Sequence, residues 1–211
     1  MTSDPRIRNE AFDASSMERF FDQYRERLNS ALKTISVESL SAAAALVQQA
    51  GSSRAHIYAI GNGGSAAIVD HLCCDWTKGT DVTRHRPIMS TALTANMPLY
   101  SALANDFGFN TVFERQLDYF AKSGDVLVAV SSSGNSENIL LAAEKAKSMG
   151  IKVIGMTGFD GGRLRSIADI ALHVQVDNYG IIEDAHQTLM HVIAQFITAQ
   201  RMLDPNSCIT S

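Results

Sequence analysis

The sequence predicts a three-layer α/β sandwich built on a five-stranded, mostly parallel sheet. Three observations lead there. Short apolar runs alternate with helical sequence, and parallel neighbours need such crossover connections. The runs are apolar at successive residues, so both faces of the sheet are expected to be covered. The runs end in segments rich in Gly and Ser, the chemistry of strand-to-helix turns.

The elements follow in order. Residues 1–16 are polar and weakly periodic. From Met17, the side chains Phe20, Phe21, Tyr24, Leu28, Leu32 and Ile35 recur at helical spacing. A second helix is expected over 38–50, with Leu40, Ala43, Ala44 and Val47 on one side and Gly51 ending it in the left-handed C′ position. This N-terminal segment, residues 1–50, is expected to lie outside the sheet layers and to serve oligomerisation. Strands are expected at 56–60, 88–93, 125–130, 152–156 and 170–174. Helices are expected after the 61–65 loop to about residue 77, after the 131–136 loop to residue 149, and over 182–202. The main domain is 51–203 and the tail 204–211.

Composition narrows the function. A chain of 211 residues is one domain by length, and 45% hydrophobic with 19% charged residues excludes a disordered or collagen-like chain. A net charge of −4 argues against a nucleic-acid partner, which selects a basic face. The sequence has no long uncharged apolar run, so no membrane span is expected, and residues 1–6 lack a basic-then-apolar signal pattern. Cys73, Cys74 and Cys208 are an odd count with two neighbours, which makes no disulfide framework. They read as free thiols in a reducing, cytoplasmic compartment, with Cys73 and Cys74 as packed helix residues rather than nucleophiles.

In open α/β sheets, ligands bind where strands end and helices begin. Two loops there have unusual chemistry. Gly61-Asn62-Gly63-Gly64-Ser65 lets a ligand approach the backbone. Ser131-Ser132-Ser133-Gly134-Asn135-Ser136 gathers four hydroxyls at a helix start, where orphan N–H groups and the helix dipole attract an anion. The serine loop has no lysine and the first loop lacks a third spaced glycine, so neither is a nucleotide fingerprint. A phosphate monoester on a small molecule fits better.

Helix spacing brings polar residues together. His71 and Asp75 are four apart, and so are Glu183, Gln187 and His191, with His186 one turn from Glu183. Two readings stand side by side. His71, Asp75, Glu183 and His191 make a mixed N/O site for zinc or another divalent metal, or the histidines are satisfied core residues. Residues 105–110 read as a polar turn, and Lys78, Arg84, His85 and Arg86 as a basic patch on a solvated loop.

These motifs together resemble the sugar isomerase (SIS) domain, and within it the phosphoheptose isomerases, over about 17–202. They are 61–65, 104–110, 124–127, 131–136, 157–162 and 183–191. The resemblance implies a SIS-type sheet with flavodoxin-like strand order and a homotetramer with active sites at subunit interfaces. It implies that Ser131, Ser132, Ser133 and Ser136 cradle a sugar phosphate, while Asn62, Gly63, Ser65 and Asp106 meet the sugar. It implies one catalytic zinc per site at the positions of His71, Asp75, Glu183 and His191, with base and acid among Asp75, Glu183 and His191. Two of these depart from the family: its first-helix Glu is Asp75 here and its last-helix Gln is Glu183, and the Asp-Arg before that Gln is replaced within Gly180-Ile181-Ile182. The expected activity is aldose–ketose isomerisation of sedoheptulose 7-phosphate through a cis-enediol. A non-catalytic adaptor, like the family's initiator-binding paralogue, and an isomerase of another phosphosugar remain the alternatives.

Overall fold

The computed structural model describes residues 12–82 and 85–203. The expected tail 204–211, with Cys208, lies outside them, as do Arg84 and residues 1–11 of the N-terminal segment. Five parallel strands form one sheet in the order β2-β1-β3-β4-β5: β1 Ile57–Gly61, β2 Ser90–Ala92, β3 Val126–Ser131, β4 Lys152–Thr157 and β5 Ile170–His173. The central strand β3 is buried along its whole length, which is why its residues read as a continuous apolar run.

Among the described residues, eight α-helices cover the sheet. On one face lie α1 (Met17–Leu32), α2 (Val37–Ser53), α3 (Gly64–Cys74) and α8 (Tyr179–Leu203), packed on Ile57, Ala59, Val126, Val128 and Ile154. On the other lie α4 (Met97–Phe107), α5 (Val112–Phe120), α6 (Glu137–Ser148) and α7 (Gly162–Ile167), packed on Tyr58, Ile60, Leu127 and Val153. Odd and even strand residues thus feed two separate cores, as the period of two demands. Each fully buried Leu or Ile in them adds roughly 1.5–3 kcal/mol relative to exposure.

Three expectations change. The N-terminal hairpin does not stand outside the layers: Ala43, Ala44 and Val47 of α2 join the core with Val174 and Ile197, and Tyr24 and Leu28 of α1 pack against it. Gly51 is not a C′ residue. The helix continues to Ser53 and Arg54 takes the left-handed position at φ 59°. Gly51 is small because a Cβ there would press on Ile88 and on the Arg201 guanidinium, at 3.1 and 3.0 Å. The 105–110 turn is also displaced. Asn96 caps α4 through Leu99 N–H (3.2 Å), the helix runs through Asn105 and Asp106 to Phe107, and Gly108 at φ 88° ends it. No single described helix is long and apolar enough to cross a membrane.

Candidate active site

The sheet register sets the two expected loops side by side. Gly61 pairs with Val130, and Ser131 with Thr157, so the chain leaves β1, β3 and β4 at one edge. There a cleft of ≈ 180 Å³ is lined by Asn62, Ser65, Val130, Ser131, Ser132, Ser133, Ser136, Tyr179 and Glu183. The hydroxyls are underused. Ser136 sits at the N-cap of α6 with extended backbone (φ −66°, ψ 119°), yet its side chain makes no capping bond. Its Oγ lies only 3.5 Å from that of Ser131, and the buried Ser132 Oγ has no hydrogen-bond partner. A buried hydroxyl without a partner costs about 1–3 kcal/mol, which a bound acceptor would recover. One unpartnered hydroxyl, and an N-cap serine that does not cap, at the start of a twelve-residue helix suit an anionic group of phosphate size.

The loop is rigidly backed. Gly158 N–H donates to Ser132 C=O (2.8 Å), and Leu164 N–H to Gly134 C=O (2.9 Å). Gly134, at φ 63°, packs so closely on the Gly161 carbonyl that no Cβ fits. From the β1 side, Asn62 and Asn138 exchange two amide hydrogen bonds of 2.9 Å each, tying the 61–65 loop to α6.

The second part of the site lies between α3 and α8, which run side by side in the same direction. Glu183 stands beside Gly64, where any Cβ would collide with its carboxylate. Further along, the Gln187 amide meets His71 Nδ1 at 2.6 Å. Asp75 Oδ2 then lies 3.4 Å from His71 Nε2 and 3.3 Å from His191 Nε2, with the two rings edge to face at 5.1 Å. Trp76, 1% exposed, donates its indole N–H to Met190 C=O at 3.0 Å and pins the register of the two helices. Asp75 opens a π-helical turn, Asp75–Gly79, a distortion that recurs at functional sites.

His71, Asp75 and His191 offer two nitrogens and an oxygen, all within 4.8 Å of one another. Three convergent ligands with an open side fit a catalytic divalent cation. The Gln187 amide N–H donates to His71 Nδ1 and so fixes the orientation of the ring, with Nε2 facing Asp75. Glu183 is not part of this cluster. It lines the serine cleft instead, where burial, and then the Asp184 charge, push its carboxyl above the usual range.

The structure therefore brings together Asn62, Ser65 and the four serines with Glu183 in one cleft, and His71 and Asp75 with His191 beside it. Gly63 supplies a left-side turn (φ 55°) at the N-cap of α3. Asp106 lies on the exposed last turn of α4, bonded to Asn105 Nδ2 at 2.8 Å, and does not line the cleft. The core histidine is neither of the two weighed for that role but His186, which is wholly buried. Burial pushes its imidazole down to about 4. Cys73 is packed and its thiol pushed up to about 12 by burial, while Cys74 is exposed, and both are free. Arg86 of the basic patch lines a different cleft, with Arg54, Pro87 and Met89, at the opposite edge of the sheet. Sequence reasoning missed Asn138, Gln187 as a partner of His71, and Tyr179. Only Gln187 left a signal, its place in the four-residue stripe.

The SIS domain family matches residues 19–158. A Thermoplasma acidophilum protein named "Probable phosphoheptose isomerase" is 38% identical over 173 residues, 82% of this chain and 92% of that one. The Clostridium acetobutylicum phosphoheptose isomerase is 35% identical over 161 residues, 76% and 82% of the two chains. Among solved structures, the phosphoheptose isomerase GmhA of Neisseria gonorrhoeae superposes with a TM-score of 0.79 at 33% identity, covering 86% of this chain and 98% of that one. The chain belongs to the SIS domain family and, within it, to the phosphoheptose isomerases.

Proposed function

We propose that this protein interconverts sedoheptulose 7-phosphate and an aldoheptose 7-phosphate through a cis-enediol. The observation that carries this reading is the alignment of the site along one helix pair. The serine cleft holds Glu183 at one end, Gln187 follows one turn on, and the His71–Asp75–His191 cluster closes the other end. Glu183 and His191 are eight residues apart on α8, about 12 Å of helix. An extended seven-carbon sugar with a terminal phosphate is of similar length. With its phosphate at the serines, such a sugar would bring C1 and C2 toward the cluster.

The serine hydroxyls and the start of α6 hold the phosphate, and that remote binding energy positions the open chain. Asp75, between the two imidazoles, takes the proton from the carbon beside the carbonyl, and His191 gives a proton to the enediolate oxygen. Glu183 accepts hydrogen bonds from the sugar hydroxyls near the phosphate end. Zinc or a related divalent ion, one per site, would be held by His71, Asp75 and His191 through one atom each and would supply Lewis-acid polarisation of the carbonyl, leaving the second carboxylate oxygen of Asp75 and the second ring nitrogen of His191 to move protons. The shorter Asp75 carboxylate, in place of the family's Glu, fits a base already held against both histidines.

We further propose a cytoplasmic homotetramer. Val192 and Phe196 are exposed along α8 beside His191, which supports a neighbouring protomer closing this face, and Asp106 is then free to serve a neighbour's cleft. Light scattering reads the assembly. The activity test is conversion of sedoheptulose 7-phosphate followed by NMR, with His191→Ala alongside. Turnover by the wild type and its loss in the variant are expected; full activity in the variant would remove His191 from the chemistry.

A further inference from the structure

We infer that Tyr179 is a specificity-determining residue that stacks its ring on the C–H face of the sugar beside the phosphate. The inference rests on the phosphosugar reading of the serine cleft and names a residue that reading does not use. Tyr179 is the first residue of α8 and lines the cleft with Ser131–Ser133 and Glu183, its side chain left 44% exposed. Among the described residues that line the cleft, it is the only aromatic one.

Its ring is held rather than loose. Phe159 stands behind it, edge to face, with ring centroids 4.8 Å apart. Phe159 itself adopts a left-handed backbone, φ 49°, which a bulky side chain avoids. Neighbouring bonds maintain that conformation: Phe159 N–H donates to Val176 C=O at 3.2 Å, and the preceding Gly158 N–H donates to Ser132 C=O at 2.8 Å. The strained residue is thus bonded through one peptide to the serine loop. Strain maintained at a ligand cleft is characteristic of a site held in advance for its ligand.

The chemistry of the occupant follows. Ser131 to Ser136 and Glu183 supply the polar side of the cleft, and the ring supplies its apolar side. A sugar phosphate presents hydroxyls and phosphate oxygens on some sides of its chain and C–H bonds on another. Inorganic phosphate has only the first. Tyr179 therefore recognises the sugar and not the anion.

Calorimetry on the protein as purified separates the two, with sedoheptulose 7-phosphate and inorganic phosphate as ligands. In Tyr179→Ala the Kd for the sugar phosphate is expected to rise about three- to tenfold, the size of an aromatic contact, with inorganic phosphate bound as before. Tyr179→Phe, which keeps the ring, is expected to match the wild type for both. In turnover, Tyr179→Ala raises KM far more than it lowers kcat. An unchanged sugar-phosphate Kd in Tyr179→Ala overturns the inference. So does an equal loss in Tyr179→Phe, or a parallel loss of inorganic phosphate. A wild type that binds neither ligand overturns the phosphosugar reading itself, and this inference with it.

Discussion

The Asn62–Asn138 pair is the joint between the two halves of the serine cleft, and its strength can be measured. The two side chains exchange both amide bonds at 2.9 Å, and Asn138 is 1% exposed while Asn62 is half-buried. Two such bonds are together worth roughly 1–3 kcal/mol. Asn62→Ala leaves the buried Asn138 amide without partners, a cost of about 1–3 kcal/mol. Asn138→Ala removes the buried partner and leaves Asn62 where water can reach it, so it costs less. The double variant loses nothing beyond the worse single variant. The coupling in a double-mutant cycle by thermal and urea unfolding then equals the cost of the milder variant, about 1 kcal/mol, read as a Tm difference of roughly 2–4 °C for a chain of this size. Effects that add within ~0.5 kcal/mol would show that the two amides act independently and refute the reasoning.

Ser132→Ala separates stability from function: removing a buried hydroxyl without a partner leaves the Tm of the free protein unchanged or higher, while calorimetry shows weaker phosphate binding, by about tenfold. His186 makes the fold acid-sensitive. Its imidazole falls from 6.5 in the unfolded chain to about 4 when folded, so the folded state binds fewer protons. The stability is complete above pH 6.5 and is lost as pH falls toward 4, by up to about 3 kcal/mol. His186→Leu is expected to flatten Tm against pH across that window, and an unaltered slope would place the acid sensitivity elsewhere. Gln187→Ala, which frees the His71 ring, should lower zinc affinity by about 10–100-fold in a chelator competition while the fold stays intact by circular dichroism.

Much of the sheet was legible because strands buried on both faces have no polar alternative: 125–130 and 152–156 lie within a residue of β3 and β4. The two loops were legible for a related reason, since glycine and serine clusters at strand ends have few uses. Helix α4 was not, because its last turn carries Asn105 and Asp106, residues that favour turns when read alone; Leu103 in the core decides the matter. Gly51 misled for the opposite reason. It looks like a helix stop, but its size answers a contact with Arg201, 150 residues away in sequence, that no local pattern records. Glu183 shows the same division. Its place in the four-residue stripe with Gln187 and His191 is a property of the helix, whereas its seat in the serine cleft depends on Gly64 of another helix, which leaves room for its carboxylate.

Among the described residues, none that lines the cleft is a lysine or an arginine. A phosphate seated there as proposed would be held by hydroxyls and by peptide dipoles fixed in the scaffold, and Glu183 would oppose it. Such a seat has no ion pair to break when the product departs. Its grip weakens little in salt, and the molecule it holds is free to go as soon as the far end of the chain has been rearranged.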